Sequence, residues 1–343
     1  MESRSERSGS FTGIRGCMNR VTRRGFLRYS AAAAGIVLAQ RAHAQVGDPG
    51  RALVQQGCKY HEGDGVVLNY KKAADLFQQA SDAGSLDGQA WLGSMCLRGR
   101  GIAHDETKAA SLITTSAEAG SPVGLRFMGV LHQEGRTVPQ DYAKARQYYE
   151  QAAVKGDAVA YGRLGMMYLY GRGVTTDVGK AKSYLTLGAS GGDSWSMVEL
   201  GKFYKHDHNR ADRVLAFAQY QQAAQRGNRV AAYYLASAYH FGIGTEKNPA
   251  AAVHYMQQSA SKGYPRAQVA LASLYAKGAA VEQNNERAYA LYTLALRQGL
   301  RRASHRLRLL AKQMSVQQVQ RATALADALQ ARNPQRNGQN ASL

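Results

Sequence analysis

Seven glycines stand at an almost fixed interval. Gly84, Gly120, Gly156, Gly192, Gly227, Gly263 and Gly299 are separated by 36, 36, 36, 35, 36 and 36 residues. Eleven residues before each lies an alanine: Ala73, Ala109, Ala145, Ala181, Ala216, Ala252 and Ala288. A second register keeps the same period. Gly57, Gly93, Gly129, Gly165 and Gly201 continue as Ala236 and Ala272, and three residues after each come Tyr60, Cys96, His132, Tyr168, Tyr204, Tyr239 and Tyr275. Two registers that share a single one-residue deletion describe one unit repeated seven times. Such a period argues against an ordinary compact domain, because each unit is a small element that buries its apolar face only against its neighbours.

Each unit reads as two helices. In the fourth, Ala160, Leu164 and Tyr168 are four residues apart and share one face of a helix over about 158–170. Gly165 lies on that helix where another can approach closely. Gly171-Arg172-Gly173-Val174 turns the chain, and a second helix runs from the N-cap Asp177 to about Ala189, ended by Gly191-Gly192. The turn recurs as Gly63-Asp64-Gly65-Val66, Gly99-Arg100-Gly101-Ile102 and Gly242-Ile243-Gly244. A Gly-x-Gly that cradles a phosphate follows a strand and occurs once. One that returns with the repeat, with no strand pattern before it, is a helix–helix connector. Composition agrees: 45% of the 343 residues are hydrophobic and only six are proline. The chain is therefore predicted to be all-α, an α-solenoid of about seven 36-residue helix–turn–helix units over residues 51–299. After Gly299, Ala303 and Leu307 keep the phase of a first helix, and Ser315 with Gln318 forms a capping box that opens a last helix over roughly 316–329. Residues 300–330 are thus expected to be a capping helix pair, and the polar residues 331–343 a disordered tail.

The pattern A-x-x-x-L-G-x-x-Y-x-x-G-x-G-V, then D-x-x-x-A-x-x-Y, then A-x-x-G, resembles the Sel-one-like repeat, a relative of the tetratricopeptide repeat. The fourth unit matches best, through Ala160, Leu164, Gly165, Tyr168, Gly171, Gly173, Val174, Asp177, Ala181, Tyr184, Ala189 and Gly192. The resemblance covers residues 51–299 and implies a right-handed superhelix with the first helix of each unit, helix A, on its concave side. It also implies an adaptor role, in complex assembly, envelope signalling or cell-surface processes. Cysteine-rich relatives are described as penicillin-binding or β-lactamase-like, but those carry a regular cysteine pair in each repeat and this chain does not. The fifth unit departs from the pattern, with Lys205-His206-Asp207-His208-Asn209-Arg210 in place of the loop glycines. Units three and seven keep only the first loop glycine, Gly135 and Gly278.

The N-terminus reads as an export signal. Thr22-Arg23-Arg24-Gly25-Phe26-Leu27-Arg28 precedes a weakly apolar run and then Ala42-His43-Ala44. Arg23, Arg24, Phe26 and Leu27 resemble a twin-arginine (Tat) signal. Met18 stands just upstream as an alternative start. Residues 1–44 are expected to be removed by cleavage after Ala44, with 45–50 as a linker, giving a bacterial periplasmic protein without an integral membrane segment. The whole chain has 44 basic and 24 acidic residues; without the eight arginines and two glutamates of that segment, 36 and 22 remain, a net of +14. That excess favours anionic partners. After export it points away from nucleic acid and toward acidic proteins or an anionic envelope surface. Cys58 and Cys96 fall at different helical phases and are not expected to pair.

Helix A offers the working surface. At 100° per residue, positions three before and one, four and five after the repeat glycine turn away from its partner helix. That strip holds Arg126 in unit three, Met166 and Tyr170 in unit four, Lys202 and Lys205 in unit five, and Tyr233, His240 and Phe241 in unit six. Aromatic, apolar and basic side chains alternate there, which suits a protein or peptide with an acidic component. The competing reading is that the aromatics pack against the next unit and the lysines are plain solvated charge. No catalytic motif, cofactor site or complete metal-ligand set stands out; His206-Asp207-His208 lacks further ligands by spacing. The expectation is a non-enzymatic scaffold. The alternatives are a β-lactamase-like enzyme and an envelope polysaccharide binder acting through Arg297, Arg301, Arg302, His305, Arg306, Arg308 and Lys312.

Overall fold

The computed structural model describes residues 50–206 and 210–331. The expected export signal with Arg23, Arg24, Phe26, Leu27 and Ala44, most of the linker, and the tail from 332 lie outside the described residues. So does the heart of the His206-Asp207-His208 connector.

The described residues form sixteen α-helices. Seven are helices A: α1 Arg51–Glu62, α3 Leu86–Arg98, α5 Pro122–Glu134, α7 Ala158–Tyr170, α9 Ser194–His206, α11 Arg229–Phe241 and α13 Pro265–Lys277. Each is followed by its helix B: α2 Tyr70–Asp82, α4 Glu106–Glu118, α6 Tyr142–Val154, α8 Val178–Ser190, α10 Arg210–Gln225, α12 Pro249–Ser261 and α14 Asn285–Arg297. Then come α15 Ala303–Ala311 and α16 Val316–Ala331. Helices α1 to α15 each pack on their sequence neighbours, α16 packs on α14, and α3 also touches α1 and α5 directly. This is an α-solenoid.

Short polar side chains set the helix starts. The carboxylate or amide oxygens of Asn69, Asp105, Asp141, Asp177, Asn248 and Asn284 accept from the backbone N–H three residues on at 2.8–2.9 Å, opening six of the helices B. Each such cap is worth about 1 kcal/mol. Glycine sets the stops. Gly171 (φ 66°) is left-handed at the end of α7, and Gly173 (φ 69°) keeps the connector left-handed. Units three and seven hold the same turn without the second glycine: Thr137 (φ 62°) and Ala280 (φ 61°) take its left-handed conformation.

The core runs along the seam between each A and its B. Twenty residues after the repeat glycine in most units, Phe77, Ile113, Tyr149, Leu185, Tyr220, Met256 and Tyr292 are all buried. At position 129 a Cβ would sit 2.5 Å from the Tyr149 ring, so the glycine is what admits the ring. The far end is closed by α16. Ser315 and Gln318 exchange reciprocal cap bonds of 2.8 and 3.2 Å, and Ala322 and Ala326 are buried. Arg321 reaches Glu286 at 2.6 Å and Arg297 reaches Asp327 at 2.7 Å, tying α16 to α14.

Candidate partner-binding site

The inner face is stitched from unit to unit by polar contacts at the starts of helices A. Ser121 Oγ donates to Asp87 Oδ1 at 2.5 Å, and Asn228 Nδ2 donates to Ser194 Oγ at 3.1 Å. Arg126 belongs to this stitching, which corrects its placement on the open strip. Its Nε donates to Asp157 Oδ2 at 2.8 Å, and both side chains are under a tenth exposed. Its guanidinium lies 5.3 Å from the Trp91 ring centre and 4.4 Å from that of Phe127. Burial works against its charge, but the neighbouring Asp157 outweighs that and raises its pKa. The physical reason for the correction is curvature. Neighbouring helices A converge on the inside of the turn, so the position three before the repeat glycine is covered by the adjacent helix. Ala90, Gly162, Val198 and Val269, at the same phase, are buried too.

The curve is tight enough to meet itself. Lys262 Nζ, just after α12, donates at 3.0 Å to the Gly63 carbonyl in the first connector and at 2.8 Å to the Gly227 carbonyl. The first unit therefore rests on the junction between the fifth and sixth. Glu62 sits inside that closure. Desolvation, followed by the charges of Asp193 and Asp64, pushes its carboxyl up to about 7, against the opposing pull of Arg126 and Lys262. These groups come from four different units, and they crowd a side chain that water still reaches. Cys58, one turn earlier, is pushed up to about 12 by burial and then by Glu62. A thiol held protonated is a poor nucleophile. Cys58 and Cys96 are both free.

Units four to six present the remaining strip residues. At the last residue of helix A, Tyr170 is 56% exposed and Phe241 62% exposed. At the same place in units two and three, Arg98 and Glu134 pair with each other at 3.2 Å and are mostly covered. Arg172 lies 5.6 Å from the Tyr170 ring centre, and His240, exposed, stands edge-on to Phe241 at 4.6 Å. Met166 is half-buried. Lys202 pairs with Glu199 at 2.6 Å, and the ammonium groups of Lys202 and Lys205 lie 5.9 and 5.5 Å from the Tyr234 ring centre. Tyr233 is half-buried between Tyr234 and Tyr264, at 5.5 and 5.3 Å. The structure thus gathers Lys202, Lys205, Tyr233 and Tyr234, and sets Arg126 apart. Tyr234 escaped the sequence reasoning because it lies one residue off the chosen phase. The signal was there: Trp91, Phe127 and Tyr234 all stand two before the repeat position.

Two other features are visible. A cleft of about 400 Å³ between α4, α5 and α6 is lined by Leu125, Met128, Tyr148, Lys144 and Glu118, among others. Among the described residues, no group of three or more His, Cys, Asp or Glu comes together to hold a metal, and no helix is long and apolar enough to cross a membrane.

Comparison with known proteins places these observations in a family. The Sel1 repeat profile matches residues 57–85, 86–121, 122–157, 158–193, 196–228, 229–264 and 265–300. The fold is similar to that of c5321, a protective antigen present in uropathogenic Escherichia coli strains that displays an SLR fold. The identity is 25%, over 90% of this chain and 68% of that one, with a TM-score of 0.62. A Sel1 repeat protein from Oxalobacter formigenes is 25% identical over 71% of this chain and 98% of its own, with a TM-score of 0.55. Among curated proteins no match is found. Sel1 repeats generally mediate protein–protein interaction. With seven of them in tandem, the chain belongs to the Sel1 repeat family.

Proposed function

We propose that this chain is an exported, non-enzymatic scaffold that holds a partner protein on the open helix-A strip of units four to six. The observation that carries this reading is the contrast along one repeat position. Arg98 and Glu134 satisfy each other in units two and three, whereas Tyr170 and Phe241 stand open in units four and six. Exposed aromatics flanked by Lys205, His240 and Arg172 suit a partner that supplies apolar anchors and acidic side chains. The strip is built on packed helices, so its binding costs little ordering entropy. Burial keeps the Cys58 thiol protonated, which argues against that side chain as a nucleophile. Export rests on Arg23, Arg24, Phe26 and Leu27 followed by Ala42-His43-Ala44, and it places the partner in the periplasm.

Crosslinking in intact cells, purification and mass spectrometry test the scaffold. The chain as it stands is compared with a Tyr170→Ser, Phe241→Ser variant, whose changes fall on exposed side chains. A partner captured by the first and lost by the second is the expected result. A partner retained equally by both would overturn the placement, and capture of none by either would overturn the scaffold. For export, Arg23→Lys with Arg24→Lys is expected to keep the protein out of the periplasmic fraction; undiminished delivery would refute the twin-arginine route.

A further inference from the structure

The C-terminal end of the solenoid carries a second surface, separate from the helix-A strip. From residue 287 to 326 the chain has eight arginines and lysines and no Asp or Glu. Some of these charges are used internally. Arg297 meets Asp327, Arg321 meets Glu286, Arg306 donates to Ser273 Oγ, and Arg287 lies over the Tyr275 ring. Arg301, Arg302, Arg308 and Lys312 are exposed, and among the described residues none has an ion pair or hydrogen-bond partner through its side chain.

These four share one side of α15. Arg302 and Lys312, at its two ends, keep helical backbone angles, so the phase carries past both caps. At 100° per residue, Arg308, Arg301, Lys312, His305 and Arg302 fall within a single arc, opposite the buried Ala303 and Leu310. Leu309 lies inside that arc and is 49% exposed; Val316, at the start of α16, is 75% exposed. Leu309 thus sets an aliphatic side chain among the exposed charges of this face. We propose that α15 and its flanking turns dock on a membrane surface rich in anionic lipid headgroups, with the arginines and Lys312 on the headgroups and Leu309 and Val316 entering the acyl boundary. Basic residues around exposed aliphatic ones are what such an interface takes up. A soluble polyanion, whether polysaccharide or nucleic acid, would use the charges but leave Leu309 without a role.

The test is co-sedimentation of the full chain with large vesicles of phosphatidylglycerol and phosphatidylcholine, against vesicles of phosphatidylcholine alone. Retention on dextran sulfate runs in parallel. Each basic residue near an anionic surface contributes about five-fold in binding. Changing Arg301, Arg302, Arg308 and Lys312 together to Gln is therefore expected to cut binding to the anionic vesicles by well over ten-fold. Leu309→Ser is expected to weaken vesicle binding several-fold and to leave dextran sulfate retention unchanged. The substituted side chains are exposed, and circular dichroism confirms that the helices remain. The N-terminal arginines are common to all forms, so the difference between forms reports on α15. Vesicle binding that survives the four-fold change would overturn the proposal. So would a Leu309→Ser chain that binds vesicles undiminished, since the partner would then be a soluble polyanion. The Tyr170→Ser, Phe241→Ser variant is expected to bind vesicles normally, so failure here and failure of the scaffold reading are told apart.

Discussion

Lys262 and Gly63 are 199 residues apart in the chain, yet the lysine ammonium donates to the glycine carbonyl at 3.0 Å. The same ammonium holds Gly227 at 2.8 Å. One side chain therefore bridges the edge of the first repeat to a junction five units on. A solenoid whose units touch only their neighbours has stability that sums locally. This contact adds a long-range term. Lys262→Met keeps the aliphatic stem and removes the donor. Hydrogen bonds from a charged group are worth about 1.5–3 kcal/mol, so a loss of about 2 kcal/mol is expected. It should be read by hydrogen exchange at the first repeat, which the Lys262 contact ties to the second half. Unchanged protection over residues 51–62 would sink the idea that the closure holds.

Arg126 and Asp157 form a pair that is buried on both sides. Removing one partner strands the other, at a cost of about 3–5 kcal/mol. Asp157 also caps α7 by accepting from Ala160 N at 2.8 Å. Arg126→Met is therefore expected to destabilise strongly through the stranded carboxylate. Adding Asp157→Ser keeps a cap, removes the charge, and is expected to recover most of the loss. Denaturant titration of the two single variants and the double variant measures this. Additive losses in the double variant would show that the two side chains do not act as a pair.

Some of this was legible in the repeat and some was not. Helix α7 spans 158–170 as its four-residue spacing indicates, and Asp177 caps α8, because both depend only on local backbone chemistry. Arg126 misled because its phase is open on an isolated helix pair and is closed only by the next helix A. Curvature is a property of many interfaces in series, and no single 36-residue unit encodes it visibly. Lys262 likewise occupies a position held by Ala83, Ala119 and Lys155 elsewhere, so nothing in its own unit marks it as a clasp. On the open strip, helix phase alone marks Tyr170 and Phe241 as turned away from the partner helix, and both are exposed, whereas the covering of Arg98 and Glu134 at the same phase depends on their pairing with each other across units.

Glu62 gives the closure a pH dependence. Its carboxyl moves from 4.5 to about 7 on folding, through desolvation and then the nearby Asp193 and Asp64. The folded chain therefore holds this proton more tightly than the unfolded one. The resulting stabilisation is complete below about pH 4.5 and is lost as pH rises through about 7. Water reaches the side chain, so screening tempers the size of the effect. Glu62→Gln is expected to flatten the fall in stability across that window. Parallel curves for the two proteins, measured by thermal melts at stepped pH, would show that Glu62 titrates as an ordinary surface carboxylate.

Thr137 and Ala280 carry backbone strain that their sister units avoid. Both are left-handed, at φ 62° and 61°, where Gly101, Gly173 and Gly244 stand in other connectors. A non-glycine residue in that region costs about 1–2 kcal/mol, and glycine's extra unfolded-state entropy returns about 0.5–1 kcal/mol of the relief. Thr137→Gly is therefore expected to stabilise by up to about 1 kcal/mol, more than Ala280→Gly, because a β-branched residue fits the left-handed region worst. The converse change, Gly173→Ala, adds a Cβ against Tyr142 on the preceding unit as well as the strain, and is expected to destabilise by more than either gain. Denaturant midpoints of the three variants decide the matter. A Thr137→Gly chain less stable than its parent would mean that contacts of the threonine side chain outweigh its backbone cost.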